Sequence, residues 1–445
     1  MNIGLISLGC SKNRVDSEIM LYRLKKAGYK LVSRPEKADL IIINTCAFIE
    51  DARQEAIDEI IETGLLKSRG RLQYLLVAGC LAQRYGPYLL EEMPELDGVV
   101  GISHYDEIDR VVQDVAAGKR VVCCDEINLQ AQPPGGRVLT TPAGMAYLRI
   151  ADGCDNRCSY CAIPGIRGVL RSRPLPELLT EAGDLVEKKN ARELVVIAQD
   201  TAAYGMDLYG SKCLPALLQG LQNIDGLKWI RLMYLHPVHM DDAIIDAIAS
   251  HDRVLPYLDI PVQHASDRIL RAMNRRHDSG HLQSLFARLR QRIDGLVLRT
   301  TVMTGFPGET DDDYQRLYDF VAETAFDWLG AFRYNREEDT AAYAMPDAVP
   351  EAVSQERLDR VMKLQNRITR QKNIERIGSR HAILISEKVS NRLYLGRGYY
   401  QAPEVDGLTM VKDVRPLARG EFVQVDLKAV KDYDMIGEVA DEYSQ

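Results

Sequence analysis

The segment MAYLRIADGCDNRCSYCAIPG, residues 145–165, decides how this chain is read. An apolar run, Ala146–Ile150, gives way to a glycine, and three cysteines follow at CxxxCxxC spacing: Cys154, Cys158 and Cys161. Three thiolates this close in sequence can point at one centre. A four-iron cluster has four corners, and these cysteines fill three of them. A corner without a protein ligand is an open coordination site, the feature that separates catalytic from structural zinc centres. A three-cysteine zinc site, or three reduced and inert thiols, would use the same spacing. The position favours the cluster, because barrel enzymes keep their chemistry on the loops that leave the carboxyl ends of the strands.

The same rhythm continues outward from that segment. Candidate strands Glu193–Ala198, Trp229–Tyr234, Tyr257–Ile260, Leu298–Met303 and Trp328–Arg333 alternate with helical patterns. They end in Gln199-Asp200, His236-Pro237, Gln263-His264, Thr304–Glu309 and Asn335–Glu337. Six βα-like units without a Gly-x-Gly-x-x-Gly fingerprint predict a radical-type partial (β/α) barrel, open or closed, with its site at those ends. Towards the N-terminus, apolar runs Ile3–Leu8, Leu40–Ile43, Tyr74–Ala78 and Val121–Val122 alternate with helical stretches Asp16–Ala27 and Ala52–Leu66. Asp16 or Ser17 suits the first N-cap. This predicts a doubly wound parallel α/β unit. Pro133-Pro134-Gly135-Gly136 can continue neither a helix nor a central strand, and marks a boundary. Residues 351–380 read as a basic helix with a solvated face. Beyond it, Ala382–Ser386, Leu393–Leu395, Phe422–Leu427 and Met435–Val439 read as a small antiparallel β-barrel. The expected units are 1–130, 140–375 and 378–445, an α/β chain with a β-barrel tail.

Cys10, Cys46 and Cys80 lie 36 and 34 residues apart, so local spacing says nothing about them. Their contexts match, however: IGLISLGC, DLIIINTC and YLLVAGC each end an apolar run. In a doubly wound sheet such strand ends meet along one edge, where ligands bind. The three can therefore hold a second centre; small buried hydrophobes are the alternative. Cys123, Cys124 and Cys213 read as structural. His236 and His264 also sit at strand ends and read as hydrogen-bonded structural residues rather than ligands.

Composition narrows the class. The chain has 445 residues, 46% hydrophobic and 27% charged, with formal net charge −8. That excludes a disordered or coiled-coil protein. Nine cysteines are too few for a disulfide scaffold. No run approaches the ~18 apolar residues of a membrane span. MNIGLISLGC lacks the basic and apolar regions of a signal peptide, so a reducing, cytoplasmic setting is expected. An acidic chain suits a basic protein partner better than nucleic acid.

CxxxCxxC with Tyr160 before its last cysteine resembles the radical S-adenosylmethionine (SAM) superfamily. Over the full length, from LGCSKNRVDSE through NTCAFIE and VAGC to a TRAM-type tail, the chain resembles the methylthiotransferases. SLGCSKNRVDSE, NTCAFIEDARQEAIDEI, ADGCDNRCSYCAIPGIRG and APEVDG (Ala402–Gly407) match the branch that modifies ribosomal protein S-twelve. The tRNA-modifying branch typically has Gln-Met-Asn after the first cysteine, where this chain has Ser11-Lys12-Asn13. The resemblance implies two 4Fe-4S clusters, one on Cys154/Cys158/Cys161 and an auxiliary one on Cys10/Cys46/Cys80, with SAM on the open iron of the first. It implies replacement of a hydrogen on an aspartate β-carbon by a methylthio group. That hydrogen is barely acidic, so side-chain bases help little and a cofactor must supply radical chemistry. Reductive cleavage of SAM gives methionine and a 5′-deoxyadenosyl radical, which takes the hydrogen. Sulfur comes from the auxiliary cluster or a species bound to it, and a second SAM gives the methyl. Tyr160, Gln199, Gln263, Thr304 and Gly305 are the implied SAM contacts, although Tyr160 as simple packing fits equally well. The implied partners are the basic ribosomal protein, docked in part by the C-terminal unit, and external electron and sulfur donors. The acidic stretch 420–445, seven acids against two lysines, would repel RNA phosphate. A tRNA methylthiotransferase, and a translation-associated binding protein with structural clusters, are the competing readings.

Overall fold

Leu40-Ile41-Ile42-Ile43 and Leu75-Leu76-Val77-Ala78 offer apolar side chains to both faces of a strand, which suits a sheet covered on both sides. The computed structural model describes residues 1–125, 127 and 136–440, and it builds that sheet. Strands β1 (Asn2–Ser7), β2 (Lys30–Leu31), β3 (Leu40–Thr45), β4 (Tyr74–Gly79), β5 (Gly98–Val100) and β6 (Val121–Cys123) run parallel in the order β2-β1-β3-β4-β5-β6. Leu40, Ile42, Leu76 and Ala78 pack against Met20, Leu24 and Val111 on one face. Ile41, Ile43, Leu75 and Val77 pack against Ala56, Ile60 and Leu89 on the other. The direction of strand addition reverses between β1 and β3, the switch point where such sheets bind ligands. Strands β2 and β5 are two and three residues long, too short for a period to emerge from the sequence.

The first helix is Ser11–Lys26, capped by Cys10, and not a helix beginning near Asp16. Its polar first turns look like loop, yet Asn13, Asp16 and Glu18 are wholly buried. Their partners are remote arginines: Arg149 and Arg167 hold Asp16, and Arg137 holds Glu18 at 2.5 Å. Of the expected Pro-Pro-Gly-Gly boundary, only Gly136 lies within the described residues, and the tail beyond Ala440 also falls outside them.

The central sheet consists of β7 (Met145–Arg149), β10 (Glu193–Ile197), β11 (Trp229–Leu232), β12 (Val254–Asp259), β13 (Val297–Thr304) and β14 (Trp328–Arg333). Two short strands, β8 (Ala151–Asp152) and β9 (Arg171–Ser172), form a separate antiparallel pair beside it. The six long strands follow chain order across the sheet, all parallel, and β7 and β14 do not pair. This is an open, partial barrel. Leu148, Val196, Ile230 and Leu258 face the helices.

The last unit is a closed five-stranded barrel of β15 (Arg380–Ser390), β16 (Leu393–Arg397), β17 (Thr409–Lys412), β18 (Phe422–Lys431) and β19 (Asp434–Val439). The wholly antiparallel barrel expected from sequence needs correction, because β17 and β19 are parallel. Parity requires this: strands that alternate in direction around a closed ring must be even in number, so five leave one parallel pair.

This barrel plugs the inner face of the central sheet. Ile383, Tyr394, Tyr400 and Val411 share one apolar cluster with Tyr147, Val195, Tyr257 and Trp328. The Ala402–Gly407 segment reaches inward: Tyr147 donates its hydroxyl to Glu404 at 3.0 Å, and Tyr257 donates to Asp406 at 2.6 Å. Among the described residues, no helix is long and apolar enough to cross a membrane.

Candidate functional site: two cysteine triads on one cavity

Two glycines set the geometry of the first triad. Gly9 has φ +84°, and a Cβ there would lie 2.7 Å from Cys46 Cβ. Gly79 has φ +101°, and a Cβ would fall 2.4 Å from Asn44 Oδ1. Only glycine lets these two turns close, and each is followed at once by a cysteine. Cys10 caps the helix Ser11–Lys26, and Cys80 opens the helix Cys80–Glu92. Both helix N-termini therefore favour negative charge at the triad, which suits thiolate ligands. Cys46 follows β3, between them. The ends of β1, β3 and β4 are neighbours at the switch point, so residues 36 and 34 apart in sequence share one edge.

The second triad hangs from the loop after β8. Cys154 N–H donates to Gly168 O at 3.0 Å, and Cys161 N–H donates to Cys158 O at 3.1 Å, which curls the loop on itself. All six cysteines line a single cavity of about 320 Å³ between the N-terminal sheet edge and the carboxyl ends of the central strands.

Burial sets the state of the free thiols. It pushes Cys80 and Cys161 up to about 12 and Cys154 to about 11, with neighbouring thiols adding repulsion. Cys46 is raised for the same reasons. These thiols are neutral near pH 7, so any metal they hold must displace protons.

Three side chains that carried no role in the sequence reading touch the sulfurs. Asn13 Oδ1 lies 3.9 Å from Cys10 Sγ and 3.7 Å from Cys80 Sγ, while its Nδ2 donates to Thr45 O at 2.8 Å. Arg167 Nη2 is 3.6 Å from Cys80 Sγ, and Arg275 Nη1 is 3.7 Å from Cys158 Sγ. Asn13 and Arg167 sit inside the motifs SLGCSKNRVDSE and CAIPGIRG, and that proximity to a cysteine was the available signal. Arg275 has no such cue. Lys12 also lines the cavity, with Nζ 3.0 Å from the centroid of the Tyr234 ring, and burial pulls it down to about 8.

Tyr160, Gln199 and Gln263 reach the cavity wall. Gln199 Nε2 donates to Asp152 Oδ1 at 3.0 Å. The Oε1 atoms of Gln199 and Gln263 are buried without a partner among the described residues. Gln263 adopts φ +68°, a strained conformation for a side-chain-bearing residue and a common mark of binding sites. Tyr160 packs edge-on to Phe306 with ring centroids 6.5 Å apart. Thr304 and Gly305 are not on the wall: Thr304 Oγ1 donates to Ser354 O, and Gly305 N–H donates to Glu309 Oε2, both at 3.1 Å. His264 Nδ1 accepts from Ser266 N–H at 2.9 Å, as a structural residue does. Donor atoms of Asp200, His236 and His239 lie within 4.8 Å of one another. Asp200 is already engaged by Asn156 Nδ2 at 2.8 Å and His239 Nδ1 at 2.6 Å, and burial holds His236 well below its ordinary pKa.

Known proteins align with each part of this architecture. Residues 2–101 match the uncharacterized protein family UPF0004, residues 148–321 the radical SAM superfamily, and residues 377–440 the TRAM domain. A solved radical SAM methyltransferase, TsrM from Kitasatospora setae, superposes with TM-score 0.54 at 13% identity, over 75% of this chain and 72% of that one. At that identity the likeness is one of fold. Sequence relatives go further. "Ribosomal protein uS12 methylthiotransferase RimO" of Syntrophomonas wolfei is 55% identical over 98% of this chain and all of its own. The protein of the same name from Pelotomaculum thermopropionicum is 48% identical over 98% and 99%. Identity of this order, unbroken across all three units, establishes that the chain belongs to the RimO family of ribosomal protein uS12 methylthiotransferases.

Proposed function

We infer that this chain transfers a methylthio group to ribosomal protein uS12 by radical SAM chemistry, at the β-carbon of an aspartate. The observation that carries the reading is the single cavity onto which both cysteine triads open. SAM and one 4Fe-4S cluster belong to the superfamily. The donor sets fit two such clusters: each triad offers three sulfurs, leaves one corner open, and has a buried guanidinium beside one sulfur to offset thiolate charge. Cys154, Cys158 and Cys161 would hold the SAM-binding cluster, and Cys10, Cys46 and Cys80 the auxiliary one. When bound, the first cluster supplies an electron to SAM, and the second supplies or relays sulfur.

The remaining work falls to the protein. Gln199 and Gln263 carry unpaired, buried carbonyl oxygens, acceptors suited to the ammonium or hydroxyl hydrogens of SAM. Tyr160 adds an apolar wall. Thr304 and Gly305 act from behind by fixing the turn after β13. The C-terminal barrel closes the inner face of the sheet, which excludes water and stray hydrogen donors. The acidic end of that barrel attracts a basic ribosomal protein and accelerates docking. An external reductant and an external sulfur source complete the reaction.

Anaerobic reconstitution followed by incubation with SAM, reductant, sulfide and uS12 tests this. A mass increment of ~46 Da on an aspartate of the tryptic peptides, hydrogen replaced by SCH₃, is the expected result. Cys80→Ala should still cleave SAM yet give no increment. Abundant 5′-deoxyadenosine without an increment on uS12 would point to tRNA as the substrate. Failure to cleave SAM would reduce the chain to a binding protein.

A further inference from the structure

Arg167 is one of the largest fully buried side chains in the molecule. It ends the short helix Ile163–Arg167 that follows Cys161, so it belongs to the central unit. Its guanidinium nevertheless crosses into the N-terminal unit. Nη2 donates to Asn13 Oδ1 at 3.0 Å and to Asp16 Oδ2 at 2.8 Å, and it also lies against Cys80 Sγ. Nη1 turns the other way and donates to both carboxylate oxygens of Asp152, at 3.2 and 3.0 Å. Asp152 Oδ1 accepts in turn from Gln199 Nε2. An unbroken chain of contacts therefore runs from a sulfur of the first triad to a glutamine on the wall beside the second.

Burial of a guanidinium is costly unless every donor is matched. Two carboxylates neutralise this one, and its fork geometry fits the bidentate Asp152 contact as lysine could not. The contact with Cys80 is therefore held by design of the whole network.

We propose that Arg167 is the positioning residue of the second centre. It orients Cys80 and Asn13, sets the electrostatic environment of that centre, and ties it through Asp152 to the orientation of Gln199. The proposal rests on the assignment of Cys10, Cys46 and Cys80 as cluster ligands. A cation at a ligating sulfur stabilises the added electron of a reduced cluster, so its removal makes reduction harder.

The test compares Arg167→Met, Arg167→Lys and Asp152→Asn in the full, anaerobically reconstituted chain. Iron and sulfide are counted, and each centre is titrated potentiometrically by electron paramagnetic resonance. Backgrounds lacking one triad or the other separate the two signals. Arg167→Met should lower the potential of the second centre, or empty it while the first stays loaded. Arg167→Lys should restore loading and part of the potential, because it keeps the charge without the fork. Asp152→Asn should leave the second centre loaded but weaken SAM binding severalfold by releasing Gln199. Equal shifts at both centres, joint loss of both, or an unshifted and fully loaded second centre in Arg167→Met would overturn the assignment. No readout uses uS12, so failure of transfer to that protein would leave this result standing.

Discussion

At the scale of single residues, burial decides what the side chains near the cavity can do. His277 is 8% exposed, and neither ring nitrogen has a partner among the described residues. Burial first, then Arg275 and His281, pull its pKa from 6.5 down to about 3. The folded protein keeps the ring neutral, while the unfolded chain takes up a proton near 6.5. The depressed folded value means that no stability is lost above pH 6.5. As pH falls from there towards 3, the unfolded state gains protons and stability drops by up to about 1.4 kcal/mol per pH unit. His277→Asn should flatten this acid-side slope in denaturant titrations of the reduced, unloaded protein. Equal slopes for the two proteins would rule the group out.

Elements were legible where their own pattern decides them. Apolar runs ending in glycine and cysteine gave the long strands and the edge on which the six sulfurs meet. The first five residues of the helix Ser11–Lys26 were not legible, because Ser11, Lys12 and Asn13 are polar and buried only by groups remote in the chain. The parallel pair in the small barrel was equally hidden, since direction follows from ring closure and not from alternation. That barrel is anchored by charge as well as by apolar packing. Glu193 at the start of β10 accepts from Arg231 Nε at 2.7 Å and from Arg397 Nη2 at 2.6 Å, with all three side chains buried. Glu193→Gln leaves two buried guanidiniums short of a carboxylate and should cost about 3–5 kcal/mol. Hydrogen exchange should show the loss first along β15 and β16. Unaltered protection there would mean that apolar contact alone fastens the barrel.

For the molecule as a whole, the cavity exists because two sheets are clasped together at their edges. Glu337, in the loop after β14, is held by Arg53 and Arg84 of the N-terminal unit, and Arg84 also donates to Ala47 O at 3.3 Å. The clasp thus pins the segment beside Cys46 to the far side of the central sheet. Glu337→Ala strands a largely buried Arg84. It should speed hydrogen exchange across residues 46–49, at a cost of about 3 kcal/mol, and leave β13 untouched. Exchange that rises uniformly through the chain would mean general destabilisation instead. No local pattern in the sequence announces such a clasp, since its three members lie hundreds of residues apart.

The shared chamber has a further consequence. At about 320 Å³ it stands at the small end of sites for drug-sized ligands, which begin near roughly 300 Å³. Both sets of sulfurs open onto that one volume, so it offers a single berth. Two nucleoside-sized visitors cannot lie there together, and the second must wait until the remains of the first have sailed. Turnover becomes a harbour problem, in which departures govern arrivals.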